Sequence, residues 1–139
     1  MYSLKTPLRL LAGLLLVIAS AAQASEIASS RALYLEFCAT CHGLTGEGDG
    51  PLAQALTTPP PNLRRLSERY GNPLPDDQIA RFIDGRADVK AHGPRDMPVW
   101  GMRFDFEAQG NQRLIKTVSA RLVAYLRSIQ IGETTASSR

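Results

Sequence analysis

The chain has 139 residues, with 16 Lys and Arg against 13 Asp and Glu, two cysteines and one tryptophan. That length suits one domain, and neither an internal repeat nor a coiled-coil heptad run is visible. The net charge of +3 is not gathered into the clustered basic face that nucleic-acid binding requires, so no nucleic-acid partner is expected.

Residues 1–24 read apart from the rest. Lys5 and Arg9 precede the apolar run Leu10–Ala19, and the segment closes on Ala22-Gln23-Ala24. This charged, apolar, small-residue order is that of a secretory signal peptide, with cleavage expected after Ala24. The apolar run is too short to span a bilayer comfortably. Membrane attachment is therefore expected only if this segment is retained. Residues 25–139 would then form the domain, 115 residues carrying 14 basic and 13 acidic side chains. Much of the basic excess thus belongs to the leader.

From Ser25 to Phe37 the pattern is helical, with Ile27, Leu33, Tyr34 and Phe37 toward one face and Ser29 or Ser30 as a start. Gly43 ends it soon after Cys38 and Cys41. Gly46-Glu47-Gly48-Asp49-Gly50-Pro51 is a loop, and Pro51 suits the first position of a short helical turn through Ala55. Pro59-Pro60-Pro61 forces an extended backbone. Asn62 is a good cap for a segment carrying Leu63, Leu66 and Tyr70, which Gly71 closes. Pro73 and Pro75 break the chain before Asp76 and Asp77 open a helix through Asp84, with Ile79, Phe82 and Ile83 inward and Gly85 as its stop. Arg86 to Gly110 shows no helical period and no convincing strand. Leu114, Ile115, Val118, Leu122, Tyr125, Leu126 and Ile129 then form one apolar stripe from about Asn111 to Gln130. The polar tail from Gly132 is expected to fray.

A structureless stretch of that length after Gly85 is unusual in a small domain. It becomes reasonable if a cofactor fills part of the core, and Cys38-Ala39-Thr40-Cys41-His42 is the C-x-x-C-H pattern of c-type haem attachment. Cysteines at i and i+3 project to one side of a helical turn and reach two neighbouring vinyl groups of one porphyrin. The adjacent His42 turns its ring under the iron. A thiol–disulfide motif would sit in an α/β pattern, which is absent here. A zinc site would need four ligands, and only His92 remains as a further imidazole. A plain disulfide does not account for the trailing histidine.

Cys38 to Pro51 resembles the haem-binding start of bacterial class I c-type cytochromes, the monohaem cytochrome c family. Pro59-Pro60-Pro61-Asn62-Leu63 is similar to a proline-rich stretch of that family. Met97-Pro98-Val99-Trp100-Gly101 resembles its distal-ligand motif, and Val123 to Ile129 its final helix. The likeness runs from about Ile27 to Ile131, in the expected order. It implies an all-α cytochrome c fold, about five helices wrapped around one covalently attached haem c.

By this resemblance Cys38 and Cys41 carry the haem, and His42 is the proximal iron ligand. The other ring nitrogen of His42 needs an acceptor to fix its tautomer. The family uses a backbone carbonyl in the following loop, and Pro51 is the matching position. Three side chains compete for the sixth position: His92, Met97 and Met102. Pro98 holds Met97 out of helical geometry, which suits a ligand presented from a loop. The motif favours Met97. Trp100 is expected at the haem edge or in the core. Arg64, Arg65, Arg86, Arg95 and Arg103 are candidates for pairing with haem propionates, and Tyr34 or Phe37 is expected to meet Tyr125 or Leu126 where the first and last helices cross. The implied function is periplasmic electron transfer between a redox donor and an acceptor protein, with no catalytic activity of its own. The alternatives are a dedicated cytochrome subunit of a dehydrogenase or oxidase, and a haem sensor or peroxidase-like protein with a labile sixth ligand.

Overall fold

A computed structural model describes residues 23–86 and 97–131. Residues 1–22, the polar tail from Gly132, His92 and Arg95 therefore lie outside the described residues. Those described form six α-helices, two 3-10 turns and no strand, in agreement with an all-α cytochrome c fold. Helix α1 is described over 23–37. The others are α2 (Ala39–His42), α3 (Leu66–Tyr70), α4 (Asp76–Asp84), α5 (Trp100–Glu107) and α6 (Gln112–Ser128). The 3-10 turns are Ala53–Ala55 and Leu63–Arg65. Among the described residues no helix is long and apolar enough to cross a membrane.

Local chemistry sets most boundaries where the sequence placed them. Asn62 accepts a hydrogen bond from Arg64 N–H and caps the turn that leads into α3. Asn111 caps α6, its side chain accepting from the N–H groups of Arg113 and Leu114. Gly85 closes α4 in the left-handed region at φ 68°, a conformation that glycine takes without a Cβ penalty. Pro51 takes the first position of a turn that Ala53 N–H closes onto Gly50 O at 2.8 Å, and the 3-10 turn Ala53–Ala55 continues it.

Two expectations need correction. Ser29 and Ser30 do not start α1, which already runs from residue 23. Ser29 Oγ donates to the Glu26 carbonyl instead, the back-bonding usual for a hydroxyl inside a helix. Ser30 is 1% exposed and turned into the core. The stretch from Arg86 to Gly110 is also not wholly irregular, because α5 occupies eight of its residues. Its apolar side chains are spread around the axis, so no stripe announces it, and tertiary packing of Gly101 and Phe104 holds it.

The core lies where α4, α5 and α6 pack pairwise and α1 crosses α6. Tyr34 meets Tyr125 at a ring-centroid distance of 4.8 Å, which realises the expected crossing of the first and last helices. Phe37 packs elsewhere, edge-on to Trp100 at 5.5 Å and to Phe104 at 5.3 Å. The α6 stripe buries Ile115, Leu122, Tyr125 and Leu126, together with Val123 from its margin. Leu114 departs from it and is exposed, because it sits in the first turn, before the helix meets its neighbours. At the other end Gln130 ties α6 to the α3 region. Its Oε1 accepts from Ser67 N–H at 2.9 Å and from Ser67 Oγ at 3.1 Å, and its Nε2 donates to the Leu63 carbonyl at 2.7 Å.

Candidate functional site

Cys38 closes α1 and α2 carries Ala39 to His42, so both thiols and the imidazole stand on one short turn. Both cysteines are free and half-buried, with no disulfide between them. Burial, and secondarily the neighbouring Cys41, push the Cys38 thiol up to about 12. This environment favours the thiol over the thiolate.

His42 is buried, and its Nδ1 lies 3.2 Å from the carbonyl oxygen of Pro61. Nδ1–H therefore donates to that carbonyl, and Nε2 is the nitrogen left with its lone pair for a metal. Burial lowers the pKa of the ring, only partly opposed by the bond to Pro61, which keeps the imidazole neutral as ligation requires. The acceptor is thus Pro61 and not Pro51. Pro51 is exposed, and the loop that follows the motif turns its own N–H groups back onto α2. Gly48 N–H donates to His42 O at 2.9 Å, Gly50 N–H to Cys41 O at 3.1 Å and Leu52 N–H to Thr40 O at 3.0 Å. The carbonyl that reaches the ring arrives from the next loop, where Leu63 N–H donates to Gly46 O at 2.7 Å and draws the proline run alongside.

The glycines make this approach possible. Gly50 sits so close to the attachment turn that a Cβ would stand 2.5 Å from Thr40 O and 2.6 Å from Cys41 O. Gly48, at φ 86°, would meet the Pro60 carbonyl. From the other side the Tyr34 hydroxyl donates to Gly43 O at 2.6 Å. The attachment turn is thereby fixed by α1, by its own loop and by the proline run.

Of the sixth-ligand candidates, Met97 lies on an irregular segment just before α5, 39% exposed and outside the apolar core. It is therefore not core filler, the commonest use of a lone methionine. Met102 is 65% exposed on α5. His92 lies outside the described residues. Trp100 begins α5 and rests on Phe37, the residue before Cys38, which brings the Met97 segment toward the attachment turn. Among the candidate arginines, Arg64 pairs with Glu47 at 2.5 Å, Arg86 with Asp84 at 2.7 Å and Arg103 with Glu107 at 2.6 Å. Arg65 pairs with Glu68 at 3.3 Å and lines a cleft of about 460 Å³ with Pro61, Asn62, Leu66, Glu68 and Arg69. Sequence reasoning missed Pro61, Tyr34 as a donor and the role of Gln130. None of these carries a local signature, since each acts through a carbonyl or a partner distant in the chain.

Two free thiols and an imidazole with one nitrogen anchored form a donor set that fits haem attached through thioethers. A family model described as cytochrome c oxidase, cbb3-type, subunit III matches residues 25–116. The chain belongs to this family. No curated protein and no solved structure gives a significant match. As a cytochrome c domain it binds covalently attached haem c, and its work is haem-based electron transfer.

Proposed function

We propose that this chain is a periplasmic electron carrier in which Cys38 and Cys41 form the thioethers to one haem c and His42 and Met97 are the axial ligands. The observation that carries the reading is the His42 ring, set directly after two free cysteines with Nδ1 committed to Pro61 O. When bound, the haem supplies a one-electron couple. Met97 would contribute a soft sulfur that favours the ferrous state, raising the potential above that given by two imidazoles. His42 and Met97 together leave no open coordination position, so the chain is suited to pass an electron and not to activate a bound substrate. The order of residues 1–24 supports export, the compartment in which the thiols would meet haem.

The test is spectroscopic. Oxidised holoprotein should show the weak sulfur-to-iron charge-transfer band at the near-infrared edge. Met97→Ala should abolish it and let carbon monoxide bind the reduced protein. His92→Ala and Met102→Ala should leave it in place. If His92→Ala alone destroys the low-spin spectrum, the protein is a bis-histidine cytochrome with other redox partners.

The family description favours a second reading, in which the domain works as a subunit of an oxidase. Purification from native membranes separates the two. A carrier is recovered free, whereas a subunit remains with terminal-oxidase activity.

A further inference from the structure

The segment that bears Met97 enters α5 without a cap of its own. Val99, just before the helix, offers no side-chain hydrogen bond to the unpaired N–H groups of the first turn. A carboxylate reaches this end from another element. Asp84, the last residue of α4, lies against Gly101, the second residue of α5. A Cβ on Gly101 would stand 2.6 Å from both Cγ and Oδ2 of Asp84, and 2.7 Å from Arg86 Nε. Arg86 holds the carboxylate as a fork, Nε to Oδ1 at 2.8 Å and Nη2 to Oδ2 at 2.7 Å, and its backbone N–H adds a third bond to Oδ1 at 3.1 Å. Both oxygens are therefore fixed, and the negative charge sits at the end of the helix where the dipole favours it.

We propose that the Asp84–Arg86 pair, seated on Gly101, is the mount that sets the Met97–Pro98 segment and so decides how readily Met97 leaves the iron. Two anchors flank the start of α5. Trp100 rests on Phe37 beside the attachment turn, and Gly101 rests on the ion pair. Met97 is tethered to both through Pro98, whose fixed φ transmits a shift of the helix end instead of absorbing it. Only glycine allows the fork to lie against the helix backbone. Asp84, Arg86 and Gly101 are positioning residues, because none of them touches the iron. The proposal rests on Met97 as the axial ligand.

The experiment measures imidazole binding to oxidised, haem-loaded protein, since added imidazole enters only when the methionine leaves. Asp84→Asn and Gly101→Ala should each tighten apparent imidazole affinity about three- to fivefold, the scale of one partly exposed charge-assisted pair. Arg86→Lys, which keeps the charge but not the fork, should fall between wild type and Arg86→Ala. Asp76→Asn removes the pair with Arg127 at the far end of α4 and should leave imidazole affinity unchanged. Should Gly101→Ala fail to fold, Asp84→Asn decides alone. Unchanged imidazole affinity in Asp84→Asn with the sulfur-to-iron band intact overturns the mount and leaves Met97 ligation standing. An equal shift in Asp76→Asn overturns it as well, because the effect would then be general loosening. Survival of the band in Met97→Ala removes the ligand reading itself, and the mount with it.

Discussion

A hydroxyl and a carbonyl grip the attachment turn from opposite sides. Tyr34, fully buried, donates to Gly43 O, and Pro61 O accepts from His42. Burial raises the Tyr34 phenol above its ordinary value, so it remains a donor at any pH the protein meets. Tyr34→Phe should cost about 0.5–1.5 kcal/mol, because it removes one buried hydrogen bond while Gly46 N–H still reaches the same carbonyl at 3.3 Å. A lower denaturant midpoint with an unaltered visible spectrum would bear this out. Asp84 supplies a pH-dependent counterpart. Arg86 holds its carboxyl below the usual carboxylate range, so the stabilisation is complete above the unfolded aspartate value of about 3.9 and is lost as pH falls through the folded one. Asp84→Asn should therefore lower the melting temperature at neutral pH by an amount worth about 1 kcal/mol or less. The gap to wild type should close in acid, and melting curves at pH 7 and below pH 3 measure it. At this scale Cys38, Cys41 and His42 were legible because their chemistry is written in adjacent letters. Pro61 was not. A carbonyl acceptor leaves no trace in side-chain identity, and Pro51 stood in an equally suitable loop.

Elements follow their caps and glycines more faithfully than their apolar periods. The starts of α4 and α6, and the stops at Gly43, Gly71 and Gly85, sit where the sequence implied, since Asn111 and the glycines act on their own backbone and α4 opens after Pro75 on the acidic pair Asp76 and Asp77. Helix α5 was invisible for the opposite reason. It has neither side-chain cap nor stripe and forms because Gly101 and Phe104 find partners on other elements. Two substitutions separate these cases. Asn111→Ala removes an acceptor from two N–H groups of α6 and should cost about 1 kcal/mol. Gly48→Ala should cost more, because it forces an alanine to φ 86° and drives a Cβ into the Pro60 backbone, which cannot step aside without moving Pro61. The second should also disturb the iron environment while the first should not. Comparing the visible spectra of the two variants at matched stability tests that distinction.

Across the whole molecule the packing is uneven. Helices α4, α5 and α6 bury one another, whereas α2 and α3 lie chiefly against the 3-10 turns next to them in sequence. The attachment turn, its loop and the proline run are joined mainly by backbone bonds among themselves, with Tyr34 on one side and Gln130 on the other. A domain of this size has little surplus stability, and ordering each residue costs about 1–2 kcal/mol in backbone entropy. In small domains such a shortfall is commonly met by a covalent or metal staple. Here the haem, bonded to residues 38 and 41 and ligated from both faces, would be that staple. The Cys38→Ala, Cys41→Ala double mutant is therefore expected to lose its cooperative thermal transition while keeping part of its helical signal, since α6 carries its own cap and stripe. Far-ultraviolet and near-ultraviolet circular dichroism through a melt distinguish the outcomes. Residual helix with a flat aromatic signal means that the cofactor organises the fold. A sharp transition in both regions would instead mean that the core around Tyr34, Leu122 and Tyr125 suffices alone, and that attachment tunes the iron without building the protein.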